Sequence, residues 1–175
     1  MRWWPVVSLL LVLTGCQGPV SQDSPVVSTT GWAAKSAGFK AGGEIADIYR
    51  GNGVSPQLSW TKPKTGTKSV ALIMDDSDAP GFEPYVHWLV ADLPPEGEIK
   101  QGGDGAGSVV GKNSHGDTKY FGPQPPSGTH HYHFALYALD ATLGLQPGFS
   151  KQELLHAMKG HVLDQTELVA LAAAR

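Results

Sequence analysis

Short apolar runs separated by polar turns dominate the chain. Ser69-Val-Ala-Leu-Ile-Met74 and Tyr85-Val-His-Trp-Leu-Val90 each have strand length, and between them lies Asp75-Asp76-Ser77-Asp78-Ala79-Pro80. The pattern predicts two strands meeting at an acidic turn. Such a turn presents polar groups where a rigid sheet can hold them for chemistry, although Asp and Ser before Pro are also ordinary turn formers. The longest strand candidate is Gly128-Thr-His-His-Tyr-His-Phe-Ala-Leu-Tyr-Ala-Leu-Asp140. Alternation places His130, Tyr132, Phe134 and Leu136 on one face and His131, His133, Ala135 and Tyr137 on the other. Val54–Trp60 reads as an extended segment with Leu58 and Trp60 on one face, Trp60 in the core. Phe39–Tyr49 allows one or two short strands, and a turn follows at Arg50–Gly53.

Helical signals are confined to the C-terminal quarter. Ser150-Lys-Gln-Glu153 has the spacing of a capping box, Leu154, Leu155 and Met158 form an apolar stripe, and Gly160 supplies a stop. Asp164-Gln-Thr-Glu167 repeats the start signal before the Ala-rich Leu168–Ala174, which predicts a second helix. Pro94-Pro95 ends the second strand of the acidic unit. The Gly- and Pro-rich stretch from Glu96 to Pro126 reads as a long connection, either functional or simply mobile.

The 175 residues suit a single domain, and 22 Gly with 13 Pro favour turns and a β-rich core over long helices. A formal charge of −3 leaves no basic face for a phosphate backbone, so nucleic acid is excluded as a partner. Arg2, an apolar stretch from Trp3 to Leu13 that is too short to span a bilayer, and Leu13-Thr14-Gly15-Cys16 resemble a bacterial lipoprotein signal. The chain has 1 Cys, so no internal disulfide is possible and Cys16 is the expected lipidation site. The expected organisation is a signal peptide over 1–15, lipidated Cys16 and a flexible tether over 16–38, and a folded domain over 39–175. This predicts a bacterial envelope location, membrane-anchored and facing the periplasm or exterior. Gln17 after Cys16 resembles the pattern of lipoproteins sent on to an outer membrane.

Three kinds of chemistry can be weighed on the residues. A serine hydrolase elbow needs Gly-x-Ser-x-Gly, whereas Gly53-Val-Ser-Pro-Gln57 lacks the final Gly and leads into a strand. Zinc needs three or four ligands with recognisable spacing, and neither CxxC nor HExxH occurs, despite 7 His. The third is a small polar pocket. His130 and Tyr132 share a face and converge with His87 and the Asp76/Asp78 turn if the strands lie in one sheet. Ring N–H and phenol donors beside carboxylates suit a phosphate monoester or a zwitterionic head group.

Ordered motifs extend this picture: Val54–Trp60, Gly66-Thr-Lys-Ser69, Asp76-Ser-Asp-Ala-Pro80, His87-Trp-Leu-Val90, Tyr120-Phe-Gly-Pro-Gln-Pro-Pro126, Gly128–Phe134, Leu136-Tyr-Ala-Leu-Asp140 and Gly160-His-Val-Leu163. Together they resemble the phosphatidylethanolamine-binding protein family, in its bacterial Raf-kinase-inhibitor-like branch, from Phe39 to about Leu168. The resemblance implies a mainly β fold with peripheral helices, a large antiparallel sheet packed on a smaller one. It implies an anion pocket lined by Asp76, His87, His130 and Tyr132, with Asp78 and Pro80 shaping the turn and Gly122, Pro125 and Pro126 forming the rim. Relatives usually carry Asp-Pro-Asp where this chain has Asp76-Ser77-Asp78, and Cys where it has Gln124. They commonly end with a Gly and a Tyr in the last helix, where this chain has Ala170 and Ala172.

The resulting expectation is a non-enzymatic envelope lipoprotein, with no catalytic residue, metal or cofactor, binding a small phosphorylated or zwitterionic ligand. The alternative is a protein-partner module that inhibits a kinase or protease or takes part in signalling, with Gln124 and Phe121 as exposed rim residues. A metal-binding protein or hydrolase ranks below both. An ionised Asp76 about 4 Å from a phosphate would cost roughly 4 kcal/mol at an effective dielectric near 20. A protonated His87 or His130, or the ligand's own cation, must offset this, so anion binding should weaken above about pH 7.

Overall fold

A computed structural model describes residues 31–175, so the signal segment, Cys16 and most of the expected tether lie outside the described residues. In chain order the elements are β1 (Ala34–Ser36), β2 (Gly43–Glu44), a 3-10 turn (Asp47–Tyr49), β3 (Leu58–Trp60), β4 (Ser69–Asp76), β5 (Tyr85–Leu93), β6 (Gly97–Ile99), β7 (Val109–Val110), β8 (Thr129–Leu139), α1 (Lys151–Met158) and β9 (Val162–Ala173). The large sheet has the order β2-β9-β8-β4-β5-β7 and the small sheet β1-β3-β6. Pairing is antiparallel except at one edge, where β2 runs parallel to β9.

Burial follows from this layering. Val70, Leu72, Met74, Trp88, Val90, Phe134 and Leu136 on one face of the large sheet pack with Leu58 and Trp60 of the small one, joined by Trp32, Phe39 and Tyr49. The opposite face, with Ala71, Ile73, Val86 and Leu89, is covered by Leu154 and Met158 of α1 and by Phe149. Central β4 is therefore apolar on both faces, which is why Ser69–Met74 shows no alternation. α1 begins as the capping box predicts, with both reciprocal bonds between Ser150 and Glu153 present.

Three expectations are corrected. Residues 164–174 are not a helix. Residues 164–173 form most of β9, where Asp164, Thr166, Leu168, Ala170 and Ala172 are buried in strict alternation. β9 pairs with β8 from Thr129↔Ala173 to Leu139↔Val162, and that ladder overrides the local helix signal of the Asp-Gln-Thr-Glu and Ala-rich residues. The folded domain also begins before residue 39, since Trp32 is buried and β1 pairs with β3, ahead of the expected boundary. Finally, the stretch from Glu96 to Pro126 is not loose. It carries β6 and β7, and it is tied down by Tyr120 Oη donating to the Tyr49 carbonyl at 2.6 Å and by Phe121 N–H donating to the His87 carbonyl at 3.1 Å.

Candidate ligand-binding site

Sheet register brings the predicted residues together. Asp76, the last residue of β4, stands opposite Tyr85 of β5 and Tyr132 of β8. On β5 the pairing slips between Met74↔Trp88 and Asp75↔Val86, so His87 is the extra residue of a β-bulge. Strict alternation would put His87 and Trp88 on opposite faces. The bulge lets Trp88 enter the inter-sheet core while His87 faces the same side as Asp76 and Tyr132.

Hydrogen bonds fix each polar group. Asp76 is buried, and its Oδ2 lies 2.7 Å from His130 Nδ1 while Oδ1 accepts from the Asp78 amide at 2.9 Å. His87 Nδ1 lies 2.7 Å from the Phe121 carbonyl oxygen, which can only accept, so Nδ1 carries the proton. In both histidines Nδ1 is committed and Nε2 is the ring nitrogen left for a ligand. Burial pushes the His87 imidazole below its usual range, against the opposing pull of the Phe121 carbonyl and Asp76. His87 is therefore neutral near pH 7 and offers an acceptor, becoming a donor only when an anion or acid supplies reason to protonate it.

Tyr132 lies edge-on to His87 with ring centroids 5.1 Å apart. Burial raises its phenol pKa, reinforced by the charge of Asp76. Asp76 and the Gln124 backbone lie near its hydroxyl, yet Tyr132 Oη completes no hydrogen bond of normal geometry among the described residues. Arg50 stands close enough for its charge to act on Tyr132, donates to the Ala173 carbonyl, and keeps Nη1 buried without a partner among the described residues.

These groups open onto a cavity of about 450 Å³. Of the predicted residues, Asp76, His87, His130, Tyr132, Pro80 and Pro126 line it. Asp78 points elsewhere, its Oδ2 accepting from the His131 amide and facing His131 Nδ1, each at 2.7 Å, so it pins the turn to β8. Gly122 and Pro125 are buried behind the rim. A Cβ on Gly122 would sit 2.1 Å from the Tyr49 carbonyl oxygen, so the glycine permits the loop's close docking on residues 49–51. Phe121 is not an exposed rim residue as expected; it is buried, stacked between His115 at 4.6 Å and His87 at 6.0 Å. Gln124 is exposed at the mouth.

Tyr85 and His115 also line the cavity and were not anticipated. Tyr85 sits two residues before His87, a spacing that could have found it; His115, on the irregular connection, carries no such signal. Among the described residues no group of three or more His, Cys, Asp or Glu side chains is placed to hold a metal ion.

The family model described as phosphatidylethanolamine-binding protein matches residues 35–173. The chain belongs to the phosphatidylethanolamine-binding protein family. A relative of this family from Methanothermobacter thermautotrophicus, named UPF0098 protein, is 43% identical over 145 residues, 78% of this chain and 95% of its own. The crystal structure of a family homologue from Chlamydia trachomatis superposes with a TM-score of 0.77 at 33% identity, covering 82% of this chain and 98% of that one. A Mycobacterium tuberculosis protein, LppC, whose name provisionally makes it a lipoprotein, is 41% identical over 123 residues, 69% of this chain and 60% of its own. Among the described residues no helix is long and apolar enough to cross a membrane.

Proposed function

We propose that the chain is a non-enzymatic envelope lipoprotein whose cavity binds a phosphate monoester or a phospholipid-type head group. The observation that carries this reading is the Tyr132 hydroxyl, buried on the cavity wall near Asp76 and the Gln124 backbone and completing no hydrogen bond of normal geometry among the described residues. An unmet buried donor costs about 1–3 kcal/mol, which a ligand acceptor would relieve. Two imidazole Nε2 atoms on the same wall add donors once protonated. Both oxygens of Asp76 are already engaged by His130 and the Asp78 amide, so the repulsion it exerts on a phosphate is tempered. Arg50 adds positive potential from behind Tyr132.

Pro80, Tyr85, Phe121 and Pro126 add apolar lining, and the Tyr and Phe rings beside His87 suit the ammonium end of an ethanolamine or choline group. Calorimetric titration of the full chain with inorganic phosphate and with phosphoethanolamine at pH 5.5 and pH 8 tests the proposal. Tighter binding at pH 5.5 is expected; equal affinities would overturn the protonated-imidazole account, and no binding at either pH would overturn the pocket. Labelling with radioactive palmitate in cells, abolished by Cys16→Ser, tests the anchor.

A second reading, a protein-partner module, draws on Phe82. This side chain is fully exposed in the turn after Pro80, beside the cavity mouth. A partner docked there would be lost on Phe82→Ser while head-group binding survived.

A further inference from the structure

Across the sheet from the cavity, β8 turns its other face to solvent. His133 is half-buried there, opposite Asp75 of β4 and two residue pairs along the ladder from Glu167 of β9. Its Nδ1 lies 3.1 Å from Glu167 Oε1, and its Nε2 lies 3.1 Å from the hydroxyl of Ser77, which is exposed at the start of the acidic turn. A carboxylate can only accept, so Nδ1 carries the proton and Nε2 is free to take one from Ser77. Hydroxyl, imidazole and carboxylate thus stand in the order of a nucleophile, its base and the group that orients the base. The arrangement spans two strands and a turn, so no Gly-x-Ser-x-Gly elbow announces it.

We propose that Ser77 is a nucleophile, activated by His133 and Glu167, that accepts an acyl group from small activated esters. Ser77 Oγ bonds to the ester carbonyl carbon, its proton passes to His133 Nε2, the carbon–oxygen bond to the leaving group breaks, and that group departs with the proton from Nε2. The product is an acyl-serine and a free alcohol or phenol. The step ends at the acyl-serine, one acyl group per chain without turnover, so it stands beside a non-enzymatic role, and the site shares no residue with the cavity.

The charged groups around His133 are consistent with a working base. Glu167 faces it from β9 and Asp75 from β4, Asp78 lies on the turn, and Lys151 of α1 holds Asp75 at 2.6 Å. The hydrogen bond to Glu167 holds its pKa above the usual imidazole range.

The full chain is incubated with p-nitrophenyl acetate and with a fluorophosphonate probe, the modified residue is located by peptide mass spectrometry, and the rate is followed from pH 5 to 9. One adduct at Ser77 is expected, absent in S77A and slowed about a hundredfold in H133Q, the order of a general-base contribution. E167Q should move the pH midpoint of the rate downward, an effect that a structural role alone would not produce. Should H133Q fold poorly, S77C gives an independent measure. Its thiol should react with iodoacetamide at pH 6 faster than other exposed thiols do, because the imidazolium beside it favours the thiolate. No adduct, an adduct only at other residues, or an H133Q rate equal to that of the unaltered chain would overturn the proposal.

Discussion

Removing Asp76 should unsettle the cavity through His130 rather than through packing. The two side chains are 5% and 9% exposed, so their 2.7 Å contact is nearly dry. Point charges at that separation attract by about 6 kcal/mol at an effective dielectric near 20, a ceiling that desolvation of both groups largely offsets. The net value is better taken from charge-assisted hydrogen bonds, about 1.5–3 kcal/mol. Asp76→Ala also strands the Asp78 amide, which donates to Oδ1 at 2.9 Å, so its total cost should be about 3–5 kcal/mol. In a domain of this size that lowers Tm by about 10 °C.

Asp76→Asn keeps the shape and one acceptor and should cost about half as much. Urea unfolding at pH 7 of the unaltered chain, Asp76→Asn, His130→Gln and the double variant gives the coupling directly, expected at about 1.5–3 kcal/mol. A coupling within about 0.5 kcal/mol of zero, or an Asp76→Ala variant that loses less than about 1 kcal/mol, would refute the reasoning.

Other substitutions separate binding from folding. Tyr132→Phe deletes a buried hydroxyl that completes no hydrogen bond of normal geometry among the described residues, so stability by urea unfolding should be unchanged or slightly higher while phosphate affinity falls; a marked loss of stability would show that the hydroxyl is already satisfied. Gly122→Ala pushes a Cβ into the Tyr49 carbonyl and should destabilise by at least about 1–3 kcal/mol, read as a lower Tm; an unchanged Tm would mean that the rim loop is not docked as described. His87 is held below its ordinary pKa by burial, so its neutral form stabilises the fold above about pH 6.5, and that stability is lost as pH falls toward the lowered folded-state value. His87→Gln should flatten this acid-side slope and phosphate should reduce it, both measured by urea unfolding from pH 5 to 8; a slope unaltered by His87→Gln would assign it to another group.

Much of the fold was legible because β proteins write their inner faces at period two. The alternation of His130, Tyr132, Phe134 and Leu136 is the burial pattern of β8, and the capping box at Ser150 is the start of α1. β9 was misread because Asp164-Gln-Thr-Glu167 and a run of Ala satisfy helix rules locally. Those same Ala residues sit across from the site, Ala170 opposite Tyr132 and Ala172 opposite His130. Only pairing with β8, a non-local fact, decides between the two structures. The convergence of His87 with Asp76 was hidden for a related reason. It depends on a bulge, which appears in the register of two strands and not in the spacing of either. The resemblance to the family supplied that convergence; the residue pattern of β8 supplied only the shared face of His130 and Tyr132. His115 and Arg50 come from segments without periodicity, and nothing in the residue order marks them.

The central claim is that an anion sits against the Nε2 atoms of His87 and His130. Side-chain nitrogen NMR of the full chain, labelled at histidine and titrated with phosphoethanolamine at pH 5.5, tests it most directly. The account predicts that the Nε2 signal of His87 moves to the imidazolium position and that of His130 shifts on binding, while those of the surface residues His156 and His161 stay still. Shifts confined to other histidines, or none at saturating ligand, would contradict it.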